Sequence, residues 1–129
     1  MNPMKRLRVL LIDDEFISNL IVRRYLDILG NADYVVQTNG KEALNYLNQC
    51  KANSEFPDFI FLDLRMPIMD GFEFLEHYEK MDIAKDIKLH VLTSSLNQDD
   101  LNRARKFKSV SGYIQKPLKP NQLAEIIEQ

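Results

Sequence analysis

Five short apolar runs, separated by helix-length amphipathic segments, limit what this chain can fold into more than any other feature. They are "LRVLLI" (7–12), "YVVQ" (34–37), "FIFLD" (59–63), "KLHVLT" (88–93) and "GYIQ" (112–115). Strand and helix patterns that alternate in this way build βαβ units around a parallel sheet. The first and third runs are almost unbroken Leu, Ile, Val and Phe, as central parallel strands buried on both faces require. The expected fold class is α/β, a doubly wound (βα)5 parallel five-stranded sheet. At 129 residues the chain is long enough for one hydrophobic core and too short for two, so 1–129 is read as a single domain.

Between the runs the period changes to that of helices. Ile17, Leu20, Ile21, Tyr25 and Ile28 form one stripe, with Gly30 as its stop. Asn39 caps a second helix, with Glu42 three positions on and Ala43, Leu44 and Leu47 turned inward. A third starts near Gly71 and buries Phe72, Leu75 and Tyr78. Asn97 announces the fourth, whose first turn holds Asp99 and Asp100, where acids favour the helix dipole. Pro120 suits the first turn of a fifth, with Leu123, Ile126 and Ile127 on one face.

Composition removes several function classes. Seventeen Lys plus Arg against nineteen Asp plus Glu give a net charge of -2, so no basic field recruits nucleic acid or anionic lipid. The one basic cluster, Arg103, Arg105, Lys106 and Lys108, falls at a helix C-terminus, which cations stabilise. The lone Cys50 has no partner for a disulfide or a zinc site and points to a reducing, cytoplasmic compartment. In "MNPMKRLRVLLIDDE" basic residues precede an apolar run that breaks at Asp13, too soon for a signal peptide or a membrane span. His77 and His90 lie beside no other metal ligand and are read as structural.

Chemistry-bearing residues gather at the ends of the runs. The first ends in Asp13 and Asp14, followed by Glu15, and the third in Asp63. The fourth ends in Thr93, Ser94 and Ser95, and the fifth in Gln115, Lys116 and Pro117. Ligands of open α/β sheets collect beyond the strands' C-terminal ends, where strand order reverses, and the order 2-1-3-4-5 would bring these residues to one crevice. Clustered carboxylates repel, and a cation is needed to keep all of them ionised. Oxygen ligands alone suit Mg2+, which commonly bridges carboxylate and phosphate. With an ammonium at Lys116 and a hydroxyl at Thr93, the set fits a phosphoryl group carried on an aspartate, a chemistry that is mostly positioning and charge neutralisation.

In "LLIDDE", "IFLDLRMPIMDG", "VLTSS" and "GYIQKPL", met in that order over nearly the whole chain, the sequence resembles the receiver domain of two-component response regulators, a flavodoxin-like fold. The resemblance implies that Asp63 accepts phosphate from a histidine kinase or histidine phosphotransfer protein. It implies Mg2+, or Mn2+ in its place, bound by Asp14, Asp63 and the backbone carbonyl of Arg65, with Asp13 acting through metal-bound water. Thr93 and Lys116 would contact phosphoryl oxygens, and Tyr113 would be the aromatic switch that follows Thr93. The Lys116–Pro117 peptide is expected to be cis. Ser94 stands where Ala or Gly is usual. Arg65 is a long cation at the site mouth, which either pairs with Glu15 or screens attacking water, or is merely a solvated turn residue. Glu15, Arg65, Ser94 and Ser95 are therefore read as modulating residues.

The expected function is a phosphorelay switch whose response appears on the face of the fourth helix, fifth strand and fifth helix, for a downstream effector or a homodimer partner. It is a regulatory phosphoacceptor rather than an enzyme acting on other substrates. The alternative is a pseudo-receiver that binds without phosphate, against which the intact acidic pair, Asp63, Thr93 and Lys116 argue. A haloacid-dehalogenase-type phosphatase needs a second Asp where Arg65 stands. A flavin carrier would find its phosphate repelled by "DDEF".

Overall fold

A computed structural model describes residues 6–128; Met1–Lys5, which begin the basic N-terminal stretch, and Gln129 lie outside the described residues. The elements alternate as β1 (Leu7–Ile12), α1 (Phe16–Leu29), β2 (Ala32–Gln37), α2 (Gly40–Asn53), β3 (Phe59–Leu62), α3 (Gly71–Tyr78), β4 (Lys88–Thr93), α4 (Gln98–Arg105), β5 (Val110–Gln115) and α5 (Pro120–Ile127). All strand pairings are parallel, in the order β2-β1-β3-β4-β5.

Side chains alternate across a strand, and here the alternation feeds two cores. Leu10, Ile12, Ile60, Leu62, Leu89 and Val91 pack with Ala43, Leu47, Phe72, Leu75 and Ala104, so α2, α3 and α4 cover one face. Val9, Leu11, Phe61, Leu92 and Ile114 pack with Val22, Leu26 and Leu123 from α1 and α5 on the other. Burial on both faces explains why β1 and β3 read as continuous apolar runs.

The edge strands run further than their apolar residues. β2 begins at Ala32, two residues before the apolar run, where Asp33 is held by Arg6 at 2.9 Å. β5 begins at Val110, two residues before the run read at 112–115, and so takes in Ser111. The missing side chain at Gly112 makes room for the His90 ring, which would lie 3.3 Å from a Cβ there, and the β4–β5 register shifts between Leu89 and His90.

The stripe expected on α1 is rotated. Ile17 and Ile28 are 63% and 82% exposed, and the buried line is Asn19, Val22 and Leu26, flanked by half-buried Leu20, Ile21 and Tyr25. The cause is polar. The Asn19 amide donates to the Asp13 carbonyl at 2.8 Å, which draws that position inward and turns the outer isoleucines to solvent.

Capping follows the sequence closely. The side chains of Asn39, Asp70 and Asn97 accept from the amides of Glu42, Glu73 and Asp99. Gly30, at φ 79°, ends α1 in the left-handed conformation. At Gly71 the β3–α3 loop folds back onto the strand it left: a Cβ there would lie 2.5 Å from the Asp63 carbonyl oxygen.

In the same loop Ile68 holds φ 70° while 77% exposed. A β-branched side chain is strained in this region, whereas Asn tolerates it. Ile68→Asn is therefore expected to stabilise the fold by about 1 kcal/mol, read as a raised thermal midpoint. An unchanged or lowered midpoint would refute the strain.

Candidate functional site

Register brings the acids together. Ile12 of β1 pairs with Leu62 of β3, so the next residues, Asp13 and Asp63, leave the sheet side by side, and the Asp63 amide donates to the Ile12 carbonyl at 2.9 Å. β4 and β5 end level at Thr93 and Gln115, and the Lys116 amide donates to the Thr93 carbonyl at 2.9 Å. The Lys116–Pro117 peptide is cis, as expected.

Asp13, Asp63 and Thr93 are only 4%, 6% and 2% exposed, yet all are polar. The partner of the two acids is the Lys116 ammonium. Its Nζ lies 2.8 Å from Asp13 Oδ2, 2.7 Å from Glu15 Oε1 and 3.4 Å from Asp63 Oδ2. Asp63 Oδ1 also accepts from the Leu64 amide at 2.8 Å.

One ammonium facing three carboxylates leaves negative charge in excess. Burial, then the neighbouring Asp13, pushes the Asp63 carboxyl up to about 6, against the pull of Lys116 and the Leu64 amide. Burial alone would lower Lys116, but its bonds to Asp13 and Glu15 outweigh it and the ammonium is held above its ordinary value.

The surplus charge suits a hard cation. Asp13, Asp14 and Asp63 each offer an oxygen within 4.8 Å of the others, an all-oxygen set of the kind Mg2+ or Mn2+ takes. The three acids are not equivalent. Asp13 already accepts from the Glu15 amide and the Ser18 hydroxyl, both at 2.9 Å, as well as from Lys116. Asp14 is exposed at the rim.

Thr93 Oγ1 accepts from the Ser95 amide at 3.1 Å. Tyr113 is half-buried, its hydroxyl donating to the Leu101 carbonyl of α4 at 2.6 Å and its ring under the Arg105 guanidinium. Ser94 is exposed and lines a cavity of about 240 Å³ together with Ile17, Lys116 and Pro117.

The proposed pairing of Arg65 with Glu15 is not what the structure contains. Glu15 is taken by Lys116, and Arg65 Nη2 sits 2.6 and 2.8 Å from the two oxygens of Asp100. Nor is Asp100 merely an acid of the first helical turn. It is 8% exposed and also accepts from the Ser95 hydroxyl at 2.9 Å. Ser18 and Asn19, which hold Asp13, belong to no motif; their only signal is polarity in the first turn of α1, beside apolar Ile17, Leu20 and Ile21.

Comparison with known proteins agrees with this geometry. A family model described as the response regulator receiver domain matches residues 9–128. The probable methanogenesis regulatory protein FilR2 of Methanothrix harundinacea is 32% identical over 94% of this chain and 79% of its own length. The sensor histidine kinase CheAY of Helicobacter pylori is also 32% identical over 94% of this chain, which spans only 14% of that protein. Among solved structures, a two-component response regulator from Cytophaga hutchinsonii is 28% identical with a TM-score of 0.85, covering 97% of this chain and 96% of that one. The Mn2+-bound form of response regulator Rcp1 is 27% identical with a TM-score of 0.76, covering 94% and 88%.

Proposed function

Since the chain belongs to the receiver-domain family of response regulators, we propose that it is a Mg2+-dependent phosphorelay switch in which Asp63 accepts a phosphoryl group from a histidine kinase or phosphotransfer protein. The observation that carries this reading is the Lys116 ammonium set between Asp13 and Asp63 at buried strand ends. An Asp63 oxygen attacks the phosphorus of a phosphohistidine, and the P–N bond breaks with its electron pair leaving on the imidazole. Lys116 and the Thr93 hydroxyl face the phosphoryl oxygens, where fixed charges and donors act without reorganisation. A divalent cation would be held by the acidic cluster of Asp13, Asp14 and Asp63, together with the Arg65 carbonyl, and would supply the remaining charge neutralisation. Water later hydrolyses the acyl phosphate.

Four large exposed apolar side chains near the site, Leu96 and Ile68 on loops and Phe16 and Ile17 at the start of α1, give a phosphodonor an apolar rim to dock on. The added charge draws Thr93 inward and Tyr113 follows, changing the face made by α4, β5 and α5. An effector or second copy that prefers the changed face about a hundredfold shifts the equilibrium by about 2.7 kcal/mol. Residues 1–129 act as one receiver unit in this reading, and the protein works in the cytoplasm. Among the described residues no helix is long and apolar enough to cross a membrane.

Intact-mass measurement after incubation with Mg2+ and acetyl phosphate tests the proposal. One phosphoryl group should be gained, and none should be gained when the cation is chelated beforehand or when Asp63 is replaced by Asn. No gain with any phosphodonor would make the chain a binding module without phosphate chemistry.

A further inference from the structure

Asp100 is a buried acid, among the described residues, that the phosphoryl chemistry above does not use. Its side chain is 11% exposed, and it holds the 62% exposed Arg65 through both oxygens. The Arg65 guanidinium keeps the Asp100 carboxyl below its ordinary range. Ser95 donates its hydroxyl to the same carboxylate and its amide to Thr93. Arg65 stands two residues after Asp63, and Ser95 two after Thr93. The loop of the phosphoacceptor and the loop of its hydroxyl partner therefore converge on one carboxylate of α4. The next residue, Leu101, accepts the Tyr113 hydroxyl.

We propose that Asp100 is a positioning residue that ties both loops to α4 in the resting protein, and that a phosphoryl group on Asp63 competes with it for Arg65. This rests on the receiver reading above. A phosphoryl group brings close to two negative charges and three acceptor oxygens within reach of a planar fork of donors. Arg65 is free to turn, because its side chain is mostly in solvent. Asp100 is not left bare when Arg65 departs: it lies in the first turn of α4, where the dipole favours an anion, and the Arg103 charge also acts on it. Release loosens the N-terminal turn of α4 and, through Leu101, the hold on Tyr113. Phosphate is thus communicated to α4 by two arms, Thr93–Ser95 and Arg65, that meet at Asp100.

The test is amide hydrogen exchange of residues 98–105 in the full chain. Without a phosphodonor, Arg65→Gln and Asp100→Asn should each speed exchange there by about three- to tenfold, and the double variant no further. Arg65→Lys should restore part of the protection. With acetyl phosphate and Mg2+, phosphorylation of the natural sequence should speed the same amides, and the increment should shrink in Arg65→Gln. Independent, multiplying effects of the two substitutions, no effect of either, or an undiminished increment in Arg65→Gln would overturn the proposal. If the natural sequence takes up no phosphoryl group, the receiver reading fails, while the donor-free arm still decides whether Asp100 clamps Arg65.

Discussion

Lys116→Met is expected to destabilise the metal-free protein by on the order of 2–4 kcal/mol at neutral pH, because removing one partner of a buried ion pair leaves the other charge uncompensated. Methionine keeps most of the volume, so the loss reports charge rather than a cavity. Two of the three acids that face Lys116, Asp13 and Asp63, are buried, and each would need to ionise without its cation. Glu15 is exposed and relaxes into water. Without the pull of Lys116 the Asp63 carboxyl holds its proton to higher pH, which gives the loss a sign: large at pH 8 and shrinking as Asp63 protonates toward lower pH. Phosphoryl acceptance should fall by about a hundredfold or more, since a fixed charge aimed at the reacting group is lost. Urea melts at the two pH values and time-resolved intact mass read both effects. Equal stability of the two proteins at pH 8 would show that Lys116 does not neutralise the cluster.

The parts of this fold that were legible in sequence are those where one physical demand acts alone. β1 and β4 run over 7–12 and 88–93 as read, because burial and β-propensity agree there. The caps at Asn39 and Asn97 were legible because a short polar side chain before a helical period has few other uses. Errors arose where two demands competed. On α1 the hydrogen bond from Asn19 outweighed the apolar period, and β5 starts two residues before its run because Val110 pairs with Leu89 although polar Ser111 follows it. That Asp13, Asp63, Thr93 and Lys116 come together was legible because strand ends converge whatever the loops do. The partner of Arg65 was not. An exposed cation chooses among acids by loop geometry, and Asp100 lies thirty-five residues away, on a helix whose placement no local pattern encodes.

Asp63→Asn should make the metal-free protein more stable at neutral pH while ending its ability to accept phosphate. With the folded carboxyl pushed up to about 6 by burial and by Asp13, the folded state binds more protons than the unfolded chain between about pH 4 and 6. Stability in the natural sequence is therefore fully present below the unfolded value and lost as pH rises through the folded one. Asparagine carries no such penalty, so the gain should be near zero at pH 4 and on the order of 2 kcal/mol above pH 7. The neutral amide of the variant also leaves Lys116 to Asp13 and Glu15, which lie closer to it. Saturating Mg2+ should narrow the difference, because a ligand at about a hundred times its Kd stabilises the native state that holds it by about 2.7 kcal/mol, and loss of the Asp63 charge weakens that hold. Chemical denaturation from pH 4 to 8, with chelator and then with Mg2+, measures all three. A gain that does not change with pH would mean that Asp63 is ordinarily ionised in the fold, and that the excess charge is carried elsewhere in the cluster. A gain that grows with pH and narrows with Mg2+ would mean that the strand-end aspartate is kept at a cost to stability because the reaction needs its charge.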